Sequence, residues 1–120
     1  MELNRDSPEF YDCKEQFQTL LKSLAEEFYI IQQAKFSRKT AQDYFLVADA
    51  WAEYLFGFTD CIDYKEISVA QTNSKFFAQE RRECLYGFDS KEVQYKLKAF
   101  VSFLKEKGYS NPNVDKALVK

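Results

Sequence analysis

An all-α fold, an antiparallel four-helix bundle with a short fifth C-terminal helix, is what this sequence predicts, and three observations predict it. Apolar residues recur at alternating intervals of three and four, the spacing of one face of a helix. Helix-starting and helix-stopping residues follow one another in turn, with Ser7, Thr40, Asp63 and Asp89 as starts and Gly57, Gly87 and Gly108 as stops. No stretch alternates polar and apolar residues as a half-buried strand would, and no internal repeat or low-complexity tract interrupts the pattern.

Ser7-Pro8-Glu9 opens the first helix with an N-cap hydroxyl, a proline at the first helical position and an acid favoured by the helix dipole. The helix is expected to reach about Lys35, with Phe10, Cys13, Phe17, Leu20, Leu21, Leu24, Phe28 and Ile31 facing inward. After Ser37-Arg38-Lys39, Thr40 is expected to cap the second helix, with Asp43 three residues on.

This second helix is apolar almost all the way round. At about 100° per residue, Tyr44, Ala48, Trp51, Leu55 and Phe58 form one stripe, with Phe45, Ala52 and Phe56 on one flank and Val47, Ala50 and Tyr54 on the other. Only Asp49 and Glu53 break the ring. Gly57 and the Thr59-Asp60 pair are expected to end it.

Asp63 and Glu66 are spaced like a capping box, and Ile62 and Ile67 like the hydrophobic staple beside one, so a third helix is predicted from about Tyr64 to Tyr86. Its inner face reads Ile67, Ala70, Ser74, Phe77, Ala78, Arg81 and Leu85, with small residues that admit a close neighbour. Asp89 and Glu92, with Phe88 and Val93, repeat the device for a fourth helix that buries Val93, Leu97, Phe100, Val101 and Leu104 and stops at Gly108. Asn111-Pro112 starts the short fifth helix, containing Val114, Ala117 and Leu118 and expected to dock loosely. Connections of a few residues make antiparallel neighbours.

A chain of 120 residues and 14.2 kDa is read as a single domain spanning 1–120, large enough to bury roughly two-thirds of the surface its unfolded form exposes. Twelve Phe, eight Tyr and one Trp exceed the needs of one small core, and aromatic side chains are enriched at protein interfaces. The net charge of −2 argues against a nucleic-acid-binding protein. Charge is nevertheless uneven: residues 1–90 carry 10 basic and 16 acidic side chains, and residues 91–120 carry 7 and 3.

Cys13, Cys61 and Cys84 form no C-x-x-C pair and the chain has no His, so neither a disulfide framework nor a zinc site is expected, and a reducing cytoplasm fits. The first six residues are too polar for a signal peptide, and no run approaches the roughly 18 apolar residues of a membrane span. Without His, nucleophilic catalysis of the Ser-His or Cys-His kind is absent in its usual form, and the glycines lie in no phosphate-binding loop. No cofactor or metal is expected. Asp49 and Glu53, four apart on one helix, could join Glu26, Glu27 or Glu80 in a carboxylate site, but the di-iron pattern needs Glu-x-x-His. An ion pair with Arg81 is the alternative, and a solvent edge or the polar centre of a contact surface the simplest reading.

The function expected is therefore non-catalytic protein binding by an adaptor, inhibitor or immunity-type protein. Phe45, Leu46, Asp49, Glu53 and Phe56 are the expected contact residues, toward a protein partner or a second copy through the second helix. Tyr95 with Lys91 and Lys98 forms a secondary surface, within a helix whose Lys96, Lys105 and Lys107 add to its positive charge. Two other classes compete: a bundle holding a hydrophobic small molecule beside Trp51, where Ala70, Ser74 and Ala78 leave room, and a small enzyme using carboxylates.

Overall fold

Four α-helices and two single 3-10 turns hold 79% of the residues described by the computed structural model, which are 7–73, 85 and 87–118; none of these is in a strand. Helix α1 spans Pro8–Lys35, capped by Ser7, whose Oγ accepts from the Phe10 N–H at 3.2 Å. At about 1.5 Å per residue its 28 residues measure about 42 Å, which accounts for the 45 Å long axis of the molecule. Its buried stripe is Phe10, Phe17, Leu21, Leu24, Ala25, Phe28 and Gln32. Leu20 and Ile31, expected inside, are 38% and 40% exposed. The stripe steps from 28 to 32 rather than from 28 to 31, and one residue of rotation, about 100°, carries Ile31 out as it carries Gln32 in.

Helix α2 spans Arg38–Phe58, joined to α1 by Phe36 and Ser37 alone. Ser37, not Thr40, is its N-cap: the Ser37 Oγ accepts from the Thr40 N–H at 3.2 Å and donates to the Thr40 hydroxyl at 3.1 Å. So short a connection requires the earlier start and makes the helices antiparallel neighbours. Nor does Gly57 stop α2. The helix runs through it to Phe58 and ends where Thr59 turns extended, its hydroxyl donating to the Leu55 carbonyl and accepting from the Cys61 N–H. Phe58, expected in the inner stripe, is 53% exposed and stacks on Tyr54.

The third helix expected from Tyr64 is replaced at its start by two three-residue 3-10 turns, Tyr64–Glu66 and Ala70–Thr72; residues 74–84 and 86 lie outside the described residues. The capping signals are present, since Asp63 accepts from the Lys65 N–H at 2.9 Å and Glu66 from the Ile62 N–H at 2.8 Å. Propagation fails at Ser68: the Tyr64 carbonyl accepts from the Ile67 N–H of the 3-10 turn at 3.4 Å, and the Ser68 N–H that an α-helix would aim at it bonds a side chain instead. The side-chain amide of Asn111, itself buried, donates to Tyr64 O at 2.8 Å and Ile67 O at 2.9 Å, while the Ser68 N–H donates to Gln71 Oε1 at 3.0 Å.

Helix α3, Ser90–Glu106, starts as expected, with Asp89 accepting from the Glu92 N–H at 2.7 Å. It buries the five expected residues and Phe103. Gly108 closes it at φ +99°, where the Gly108 N–H donates to Lys105 O and the Tyr109 N–H to Leu104 O, a Schellman stop that a left-handed glycine permits. Helix α4, Pro112–Leu118, does not dock loosely. Val114 and Leu118 are buried, Lys105 pairs with Asp115 at 3.0 Å, and Asn111 both accepts from the Asn113 N–H at 2.8 Å and grips the Tyr64–Ile67 turn.

Ring contacts give the packing order. Tyr29 meets Phe45 and Tyr11 meets Phe56, so α1 and α2 run antiparallel. Phe28 meets Phe100 and Phe103, Trp51 meets Phe100, and Lys96 lies over Tyr44, so α3 is parallel to α2 and antiparallel to α1. Among the described residues no helix is long and apolar enough to cross a membrane.

Candidate interaction surface

Where α1 meets α2 at the surface, rings and charges alternate along the crease. At one end the Tyr11 ring stands edge-on to Phe56 at 5.9 Å, and Lys14 Nζ sits 5.2 Å from the centre of the same Phe56 ring. In the middle Lys22 Nζ reaches Glu53 at 3.0 Å and Asp49 at 3.6 Å. Further on Tyr29 packs on Phe45 at 5.4 Å.

Helical spacing explains the order. Residues 45, 49, 53 and 56 of α2 advance by four, four and three, and 11, 14, 22 and 29 of α1 run the opposite way across the two-residue connection.

Of the five expected contact residues, Phe45, Asp49, Glu53 and Phe56 are thus brought together and half-buried, and Leu46 stands 39% exposed beside them. Tyr11 is 52% exposed at the far end. The α1 contribution of Tyr11, Lys14, Lys22 and Tyr29 escaped the sequence reading, which examined one helix at a time. Opposing the two helices about their short connection would have placed Lys22 across from Glu53. Arg81, offered as the partner of these acids, lies outside the described residues; Lys22 pairs with both.

The electrostatics of the crease follow from partial burial. Loss of water raises the Asp49 carboxyl above its ordinary value, Lys22 pulls it down, and the neighbouring Glu53 pushes it up again, with a net rise. Burial acts to lower Lys22, but its hydrogen bond to Glu53 and the charges of both carboxylates outweigh that and leave it raised. Two carboxylates one turn apart share one ammonium.

No group of three His, Cys, Asp or Glu side chains converges as metal ligands would among the described residues, and Glu27 instead meets Lys107 at 2.9 Å. Beside Trp51, where the competing expectation puts a small molecule, only part of the wall lies among the described residues. The indole is fully buried, stands edge-on to Tyr64 at 6.3 Å and Phe100 at 6.4 Å, and donates its N–H to Gln71 O at 3.0 Å. Ala70 is exposed on its 3-10 turn, and Ser74 and Ala78 lie outside the described residues. Cys13 and Cys61 are free thiols; Cys61 donates to Gln71 Oε1 at 3.3 Å, and burial pushes its pKa up.

The secondary surface is sorted by the fold. Lys96 is withdrawn over the rings of Tyr44 and Phe88 and meets Glu92 at 3.6 Å, Lys105 meets Asp115, and Lys107 meets Glu27. Lys91 and Lys98 stay exposed on either side of Tyr95, which is 67% exposed. Together with Gln94 and Leu118 they line a groove of about 330 Å³ between α3 and α4. Comparison with protein-family models, with curated proteins and with solved structures finds no match to this chain.

Proposed function

We propose that this chain is a non-catalytic protein-binding module, an adaptor, inhibitor or immunity-type protein of the cytoplasm, that engages its partner along the α1–α2 crease. The observation that carries the reading is the row of partly exposed rings, Tyr11, Phe56, Tyr29 and Phe45, with Leu46 beside the Lys22–Asp49–Glu53 cluster. Aromatic side chains held by neighbours offer large contact area at small entropic cost, and contiguous apolar surface on a small protein marks an interaction site. Polar groups already paired within the protein cost less to cover than unpaired ones. The partner is a second protein or a second copy of the chain meeting it through α2. The helices are proposed to belong to an antiparallel bundle with α4 as its short C-terminal member.

Tyr11→Ser combined with Leu46→Asp tests the reading, because both side chains are exposed and neither belongs to the core. Sedimentation over a range of concentrations reads self-association. Capture on immobilised chain, compared quantitatively between the native protein and the double variant, reads a foreign partner. Loss of a dimer, or of specific captured proteins, in the variant supports the proposal. A native chain that stays monomeric and retains nothing the variant does not also retain overturns it.

A further inference from the structure

We propose that the groove between α3 and α4 binds an acidic peptide segment of another protein, with carboxylates on Lys91 and Lys98 and an apolar side chain against the ring of Tyr95. Charge complementarity carries the argument. Of the five lysines on and just beyond α3, Lys96, Lys105 and Lys107 meet carboxylates within the chain, and among the described residues Lys91 and Lys98 meet none. Glu92 and Asp115, on α3 and α4, are each paired with a lysine of the chain, Lys96 and Lys105.

Geometry then selects the occupant. Lys91, Tyr95 and Lys98 fall on one helix face at intervals of four and three, which separates the two ammonium groups' backbone positions by about 10 Å along the axis. An extended chain rises about 3.3 Å per residue and shows every second side chain to one face, so two acids four residues apart with an apolar residue midway present all three side chains to the helix over about 13 Å, within reach of two flexible lysines. The exposed ring of Tyr95 lies between them. Gln94 adds a side-chain amide to the groove wall, suited to a peptide backbone, and Leu118 an apolar one. A flat single ring between two lysines would also stack a base, but two lysines match the two carboxylates of a peptide and not the one charge per nucleotide of a strand.

Selection from a phage-displayed library of random peptides against the whole immobilised chain tests this, followed by fluorescence anisotropy of the selected peptides. Enrichment of peptides with two acids four apart around a central apolar residue is expected. Their binding should weaken about tenfold or more in Lys91→Glu combined with Lys98→Glu, and also in 0.5 M salt. Tyr95→Ser should weaken it with the charge intact. Circular dichroism confirms that each variant is folded, as these exposed positions permit. Recovery of no peptide, of peptides without acids, or of peptides that bind the double variant equally well overturns the proposal. So does binding of a fluorescent oligo(dT) probe where no peptide binds, which would assign the groove to single-stranded nucleic acid. The crease between α1 and α2 is untouched by these substitutions, so the result is independent of the function proposed for it.

Discussion

The two long faces of α2 differ in a way that separates stability from recognition. On the Trp51 face, Tyr44, Ala48, Trp51 and Leu55 are buried against α3 and the Tyr64 turn, and the one polar atom of the indole is satisfied by a backbone carbonyl. On the Asp49 face, four residues apart along the same helix, rings are half-covered and carboxylates share a lysine. Dry packing rewards shape and tolerates no vacancy, whereas a half-wet crease has little stability to lose and surface left over for contact.

Trp51→Ala is the largest expected break: about 3–5 kcal/mol of stability should go, read as a lower urea midpoint, against about 1–2 kcal/mol for Phe56→Ala on the other face. Equal losses would show that the faces do not differ. Asn111→Ala comes next, because it removes the donor from the Ile67 carbonyl and leaves the Tyr64 carbonyl only the Ile67 N–H; about 1–3 kcal/mol is expected, with faster amide exchange confined at first to 61–73.

Lys22→Met should cost about 1 kcal/mol by leaving two carboxylates a turn apart without their shared cation. The smallest effect is on pH dependence. The folded Asp49 carboxyl titrates above the ordinary 3.8, so the folded chain binds more protons than the unfolded chain between the two values, and this group's contribution to stability falls as the pH rises through that interval. Urea midpoints should therefore show the native protein gaining on Asp49→Asn as the pH drops from about 7 toward about 4. For Lys22 the sign is the same in a different pH range: its stabilisation is complete below the ordinary 10.5 and disappears as the pH rises through the raised folded value.

Much of the fold was legible because its signals are local. Ser7 and Asp89 cap the helices they were expected to cap, and Gly108 stops α3 because the two bonds involved lie within a few residues of one another. The errors arose where distant groups compete. Asp63 and Glu66 form their local hydrogen bonds and still start only a 3-10 turn: the Ser68 N–H goes to the Gln71 side chain, and Asn111, 47 residues from Tyr64, ties the Tyr64 and Ile67 carbonyls to the start of α4. The candidate site divides the same way: clustering of Phe45, Asp49, Glu53 and Phe56 follows from helical spacing, whereas Lys22 as the partner of both acids depends on how one helix lies on another.

What the sequence alone determined, then, is the helical character of the chain, the ends of α1 and α3 and the inner stripe of α3, because each depends on interactions within a turn or two of helix. Tertiary structure decided which side of α2 is dry, which lysines are consumed by neighbours, and where the chain between Thr59 and Asn73 abandons the helix it was spaced to form. Those outcomes turn on whether water, a ring or a distant amide reaches a given group first, and that competition has no local record in the order of residues.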